Sequence, residues 1–77
     1  MSQLLPGSII GIIGGDSQIA SVILIAKRLG YRIYHFREED EPRVLLADKE
    51  VIARYSDKQA LSNFAVQVDT IYVLTNA

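Results

Sequence analysis

The sequence predicts an α/β domain built on a four-stranded parallel sheet. Short β-branched apolar runs alternate with stretches of helical period, the connections are short, and a glycine-rich turn follows the first run. We expect a single domain over residues 1–77, because a chain of this length has too little volume for two separate cores.

The first strand and the first helix lie in the amino-terminal part of the chain. Residues 8–13 form an apolar, β-branched run closed by Gly14 and Gly15, which is typical of a buried strand. From residue 18 to residue 29 the apolar side chains recur at helical spacing, so this segment predicts a helix. Gly30 follows as the glycine that commonly ends a helix.

A second strand and a charged connection come next. Residues 31–36 are rich in aromatic and β-branched side chains, which favour a strand. A charged loop follows over residues 37–42. Pro42 suits the first position of a short helical piece, which we predict over residues 43–47.

The second half of the chain repeats the alternation. Residues 49–54 predict a third strand, and the sequence S-D-K-Q at residues 56–59 matches a capping box that starts with Ser56. Residues 70–74 predict a fourth strand. The apolar face of the helix between these strands comprises Ala60, Leu61, Phe64 and Ala65.

Strand–helix–strand units with short connections cross over with a right hand. The expected architecture is therefore a half-Rossmann layer with strand order 3-2-1-4 and flanking helices. The fourth strand ends near the chain terminus, so one sheet edge is expected to lie open. The first helix also carries Ala20, Leu24 and Ile25 outside its core stripe. Both a merely apolar surface helix and a docking face for another domain or subunit fit this pattern.

Composition excludes several functional classes. Eight Lys and Arg residues against nine Asp and Glu residues give a net charge of −1, which argues against nucleic-acid binding. The absence of cysteine excludes disulfides and thiolate metal sites. No apolar run reaches the roughly 18 residues of a membrane span, and the amino terminus lacks a basic signal region. We expect a cytoplasmic protein with no membrane partner.

The glycine turn, residues 14–18, is the main candidate ligand site. Such a turn between a strand and a helix directs backbone N–H groups at phosphate. However, the G-x-G-x-x-G fingerprint is incomplete in either register, and the Asp16 carboxylate would repel phosphate. Asp16 and Ser17 instead suit helix capping, and Asp16 also suits contact with a ribose or an amine. A purely structural turn and a surviving ligand loop both remain open. The loop would comprise Gly14, Gly15, Asp16, Ser17 and Gln18.

No catalytic set or metal cluster is visible in the rest of the sequence. His35 has no catalytic partner at a motif spacing, which favours a histidine packed within a strand. Arg37 has the position to meet a 2′-phosphate, but a solvated, salt-bridging arginine is the more ordinary interpretation. The acidic run at residues 38–41 lacks a second ligand cluster and predicts a solvated loop. We therefore expect no catalytic residue and no bound metal in this chain.

Five short motifs lie in one register with a known family: residues 11–15 (G-I-I-G-G), 26–31 (A-K-R-L-G-Y), 47–48 (A-D), 60–61 (A-L) and 68–69 (V-D). Through them the chain resembles the N-terminal, pre-ATP-grasp domain of the 5-(carboxyamino)imidazole ribonucleotide synthetases. This family is also known as the ATPase subunit of phosphoribosylaminoimidazole carboxylase. The resemblance covers residues 5–75, which correspond to the amino-terminal part of a family member.

The resemblance implies a three-domain ATP-grasp ligase of purine biosynthesis. The family uses ATP and magnesium to activate bicarbonate and carboxylates the amine of aminoimidazole ribonucleotide. ATP and magnesium would bind in domains beyond this segment, so no cofactor is expected for the chain itself. The N-terminal layer would help to hold the ribonucleotide through the glycine turn and the end of the fourth strand. The implied partners are the ribonucleotide and either the ATP-grasp domains or a second subunit.

The chain departs from the family at the ligand-facing positions. Of the family's Gly-Gly-Gly-Gln-Leu-Gly turn only Gly14 and Gly15 carry over, and the Asp-Pro after the second strand is Arg37-Glu38 here. The two glutamates that end the family's fourth strand are absent from residues 73–77. We expect a domain fragment or truncated paralogue that is inactive alone. The alternative is a stand-alone nucleotide-binding or protein-assembly module.

Overall fold

The computed structural model describes residues 5–15 and 18–74. The strands are β1 (Ile9–Gly14), β2 (Arg32–Arg37), β3 (Lys49–Ile52) and β4 (Thr70–Leu74), and the helices are α1 (Ile19–Arg28) and α2 (Lys58–Ala65). All neighbouring strands are parallel, and their order is β3-β2-β1-β4, which confirms the predicted sheet. Within these residues neither helix has the length and apolarity to cross a bilayer.

Helix α1 covers one face of the sheet. Its buried residues Ile19 and Ile23 pack with Ile12 of β1 and Ile33 of β2. Val44, from the loop between β2 and β3, closes the same cluster. Val22 and Ala26 of the predicted stripe also pack against this cluster, whereas Leu29 at the end of the stripe is exposed.

Helix α2 covers the opposite face through a single large side chain. The Phe64 ring lies edge-on to Phe36 of β2, with ring centroids 5.4 Å apart. Gly11 of β1 permits this close approach, because a Cβ there would lie 2.8 Å from the Phe64 ring. Ala65 is exposed, so its predicted place on the packed face is wrong. Phe64 and Val68 together fill the space against Gly11.

Two predictions about local structure are corrected. Helix α2 is capped by Asp57 rather than Ser56, since the Asp57 carboxylate accepts a hydrogen bond from the N–H of Ala60 at 3.0 Å. Residues 43–47 form one turn instead of a helical piece, with a single bond from Ala47 N–H to the Val44 carbonyl. So short a segment gains too few hydrogen bonds to offset helix nucleation.

The two aspartates of the A-D and V-D motifs align the strands. Asp48 donates its N–H to the Ile33 carbonyl at 2.8 Å, and its carboxylate accepts the Ile33 N–H at 2.8 Å. Asp69 makes the same reciprocal pair with Ile9, at 2.8 and 2.7 Å. These residues therefore fix β3 beside β2 and β4 beside β1 at their amino ends.

The Asp48 carboxylate also ties α1 to this edge. It accepts a hydrogen bond from Lys27 Nζ at 2.7 Å. This bond, aided by the Ile33 N–H and opposed by desolvation, lowers the pKa of Asp48. Because the pKa of Asp48 is lower in the folded than in the unfolded chain, this carboxylate stabilises the fold at pH values above the ordinary pKa range of aspartate. This stabilisation is lost as the pH falls through the depressed pKa.

Candidate functional site

The carboxyl ends of the four parallel strands meet at one edge of the sheet. There the connection β1–α1–β2 runs to one side of β1, whereas α2 crosses back and brings β4 to the other side. Sheets of this type bind ligands in the crevice at such a switch point. The expected ligand position is therefore between Gly14 at the end of β1 and Leu74 at the end of β4.

A cleft of about 490 Å³ opens at this position, and we call it the switch-point cleft. Its walls are mainly aliphatic, and its polar side chains are Glu41 and Tyr55. A concave, largely apolar site with a few polar groups is typical of small-molecule binding. The residues that line it are Ile13, Gly14, Glu41, Tyr55, Leu61, Val73 and Leu74.

The two glycines that open the glycine turn are required by the packing of the chain itself. Gly14 has φ +85°, and a Cβ there would overlap the carbonyl oxygen of Leu74. At Gly15 a Cβ would lie 2.9 Å from Cδ1 of Ile19. This close packing gives the turn a structural role, while a ligand role for the same residues stays a prediction.

The remaining predicted site residues lead into α1. Gln18 occupies the N-cap position, and its side chain makes no capping hydrogen bond. The predicted caps Asp16 and Ser17 lie outside the described residues, so their role stays a prediction. At its other end α1 is followed, as predicted, by Gly30 in the position after the C-cap, with φ +92°.

The His35 side chain forms a hydrogen bond with the first residue of the glycine turn. The imidazole is fully buried, and its Nε2 lies 2.8 Å from the carbonyl oxygen of Gly14. Because a carbonyl oxygen can only accept, this geometry assigns the ring hydrogen to Nε2. His35 is thus a packed strand histidine, as predicted, and its ring bonds the carbonyl of the residue that ends β1.

Arg37 is buried rather than solvated, which corrects the sequence prediction. Only 7% of the residue is exposed. One guanidinium nitrogen donates to the backbone carbonyls of Glu38, Glu39 and Glu41, at 3.0 to 3.1 Å, and the other donates to Glu50 Oε1 at 3.1 Å. The hydrogen bond from Arg37 lowers the pKa of Glu50 against the effect of burial. The acidic loop, residues 38–41, therefore folds around Arg37.

Tyr55 and two glutamates form the polar wall of the switch-point cleft. The Tyr55 hydroxyl donates to Glu41 Oε1, and the Tyr55 N–H donates to Glu38 Oε2 at 3.0 Å. Burial, followed by the bond to Glu41, raises the pKa of Tyr55 well above its usual range, so the phenol stays protonated. No cation lines the cleft within the described residues. The switch-point cleft therefore suits a heterocyclic ring with N–H donors and does not suit a phosphate group.

A larger recess lies at the ends of β2 and β3. It has about 700 Å³ of open space beside Glu38, Glu39 and Asp40. The smaller cleft is the better candidate, because it occupies the switch point and is walled by apolar side chains. Among residues 5–15 and 18–74, no group of acidic or histidine side chains is arranged to hold a metal ion.

Residues 8–75 match the ribonucleotide synthetase preATP-grasp domain family. The chain is 36% identical over 67 residues to the N5-carboxyaminoimidazole ribonucleotide synthase of Bacillus subtilis (strain 168), covering 86% of this chain and 18% of that protein. It is 34% identical over 71 residues to the synthase of Brucella melitensis biotype 1, covering 91% and 20%.

A solved structure agrees with these relatives. The N5-carboxyaminoimidazole synthetase from Staphylococcus aureus, crystallised with ADP, superposes with a TM-score of 0.84 at 30% identity. The superposition covers 95% of this chain and 20% of that one. This chain spans about a fifth of the length of the relatives that it matches. From its sequence and from its fold alike, the chain belongs to the ribonucleotide synthetase preATP-grasp domain family.

Proposed function

We propose that this chain is the substrate-side N-terminal domain of an ATP-dependent ligase that carboxylates aminoimidazole ribonucleotide. The observation that carries the proposal is the match of residues 8–75 to this domain family, supported by a cleft at the switch point of the sheet. The relatives are named for synthesis of N5-carboxyaminoimidazole ribonucleotide, and one was crystallised with ADP. ATP and magnesium would be held by the rest of such a ligase, in the cytoplasm, and this chain alone would not catalyse the reaction.

In this role the switch-point cleft holds the ring of the ribonucleotide. The Glu41 carboxylate accepts a hydrogen bond from an amine or a ring N–H, and the aliphatic walls exclude water. Leu74 stands where the resembling family has a glutamate at the end of its fourth strand, so Glu41 supplies the carboxylate here. The phosphate would lie at the glycine turn, near the amino end of α1.

A stand-alone assembly module is the second candidate function. It is favoured by the outer face of α1, where the large apolar side chains of Leu24 and Ile25 are both exposed. In this case the cleft would bind no ribonucleotide.

A chimeric enzyme tests the first candidate. This chain would replace the matching N-terminal residues of the Bacillus subtilis synthase, and carboxylation would be followed at varied concentrations of each substrate. We expect an active chimera in which Glu41→Gln raises the KM for aminoimidazole ribonucleotide about tenfold, because a charged hydrogen bond is lost. The KM for ATP should not change.

The matched control is Glu39→Gln, a neighbouring glutamate of the acidic loop that does not line the cleft. This substitution should leave both KM values as they are. A folded chimera without carboxylation activity, or one in which the two glutamate variants behave alike, would reject the proposed role of the cleft.

A further inference from the structure

We propose that His35 is a positioning residue for the substrate. It holds the peptide between Gly14 and Gly15 in the orientation that presents the Gly15 N–H, and not the Gly14 carbonyl, to the phosphate of the ligand. The inference rests on the proposed function for the presence of a phosphate at the glycine turn. Its structural half, the fixed orientation of this peptide, holds without a ligand.

The peptide that joins Gly14 to Gly15 has little steric resistance to rotation. Glycine adopts both signs of φ readily, so a peptide flanked by two glycines can exchange the directions of its C=O and N–H groups at small cost. Gly14 already has φ +85°. The sequence of the turn therefore leaves two orientations open, and another contact must select one of them.

His35 supplies that contact. It belongs to β2, the neighbour of β1, and its side chain lies on the face of the sheet that α1 covers. There its Nε2 is 3.7 Å from the position of a Cβ at Gly15, beside Ile19 of α1. The ring N–H donates to the Gly14 carbonyl at 2.8 Å. This hydrogen bond keeps the carbonyl directed toward β2 and α1.

The same bond fixes the direction of the Gly15 N–H. None of the described peptide bonds is cis, and the C=O and N–H of a planar trans peptide point in opposite directions. The Gly15 N–H is therefore directed away from His35, toward the side of β1 on which β4 and the switch-point cleft lie. Among residues 5–15 and 18–74 no backbone carbonyl accepts it. It is available to a phosphate oxygen, which accepts such N–H groups at the amino end of a helix.

Packing alone does not explain a histidine at position 35. The side chain is fully buried, and its Nδ1 has no hydrogen-bond partner among the described residues. Burial of an unpaired polar atom is unfavourable, so an apolar side chain would suit the position better if it served only to fill space. Ile33, two residues earlier in β2, is such a residue and is buried in the cluster under α1. The bond to the Gly14 carbonyl is therefore what the histidine adds.

Two variants of similar length separate the hydrogen bond from the volume of the side chain. His35→Gln retains an amide N–H donor, whereas His35→Met has none. In the ¹H–¹⁵N spectrum of the ligand-free 77-residue chain, we expect a doubled or broadened Gly15 amide signal in His35→Met and a single sharp one in His35→Gln. A Gly15 signal that His35→Met leaves unchanged would overturn the inference, whether or not the chain binds a substrate.

The unmodified chain gives a measurement that needs no variant. The nitrogen spectrum of the imidazole should show the hydrogen on Nε2 and none on Nδ1, because the Gly14 carbonyl can only accept. The opposite tautomer would overturn the inference.

The ligand role is measured in the chimera with the Bacillus subtilis synthase. We expect His35→Met to raise the KM for aminoimidazole ribonucleotide about tenfold, with little change in kcat or in the KM for ATP, because an oriented hydrogen bond to phosphate is lost. His35→Gln should stay within about threefold of the unmodified chimera, because it restores the donor. Ile33→Val is the matched control, since it removes one methyl group from the same core and leaves the turn untouched. It should change neither KM.

The outcomes distinguish this inference from the proposed function. An active chimera in which His35→Met and His35→Gln have the same KM for the ribonucleotide, or in which Ile33→Val raises that KM as much as His35→Met, would overturn the inference and leave the proposed function in place. An unmodified chimera without activity would reject the proposed function and, with it, the ligand role of His35. The ligand-free spectra would still decide whether His35 holds the peptide.

Discussion

Replacing Gly14 with alanine is expected to lower the free energy of unfolding by about 4 kcal/mol, a large share of the stability of a small domain. Two effects add: the backbone has φ +85°, and the new Cβ would overlap the carbonyl oxygen of Leu74. That oxygen belongs to the β4 backbone, so relief requires movement of the strand that forms one wall of the switch-point cleft. Urea unfolding monitored by circular dichroism measures the loss.

Gly7→Ala is the control for the backbone effect alone. Gly7 has φ +91°, but nothing lies within 4 Å of the added Cβ. We expect a loss of about 1 kcal/mol at this position. Equal losses at the two glycines would show that β4 does not approach Gly14 as closely as described.

Arg37→Leu is expected to lower the free energy of unfolding by about 3 kcal/mol, because it removes the cation of a buried network and leaves the acceptors of that network without a donor. The carbonyls of the acidic loop and the Glu50 carboxylate would lose their donor. The loop carries Glu41, so the polar wall of the cleft should loosen as well. Unfolding in urea gives the stability, and amide exchange in the acidic loop gives the local effect.

Arg43→Leu is the matched control, because this arginine reaches the same Glu50 from a side chain that is 68% exposed. We expect a change below about 0.5 kcal/mol. The loss of stability in Arg37→Lys should fall between the losses in Arg37→Leu and Arg43→Leu, since one ammonium group cannot make all the hydrogen bonds of the guanidinium. A loss at Arg43 as large as that at Arg37 would contradict the buried network.

The fold could be predicted from the sequence because its signals are local and agree with one another. The apolar runs at β1 and β4 and the helical stripe of α1 each point to one structure, and short connections restrict the topology. The error at Arg37 arose from the conformation of the loop that follows it, because the acceptor carbonyls belong to the next four residues. Arg37 is buried because the loop folds around it and three loop carbonyls accept hydrogen bonds from its guanidinium. No pattern in the sequence predicts that arrangement.

Of the predicted ligand loop, Gly14 is the residue that lines the cleft. The glycine pair Gly14 and Gly15 is a recognisable pattern, and the strand order places it at the switch point. Glu41 and Tyr55 lie in two different loops, so they form no motif with a recognisable spacing. The position of Leu74 in the site could also have been predicted, because parallel strands end at the same edge of a sheet and the end of β4 therefore lies beside Gly14.

The most direct test of the account is a ¹H–¹⁵N titration of the isolated chain with aminoimidazole ribonucleotide. We predict amide shifts that cluster at the cleft, at Gly14, Tyr55 and Leu74. Ribose 5-phosphate lacks the aminoimidazole ring. It should therefore shift the amide signals of the glycine turn and leave the Tyr55 amide signal unchanged. A dispersed spectrum in which the ribonucleotide moves no cleft amide would contradict the claim that this edge of the sheet is the substrate site.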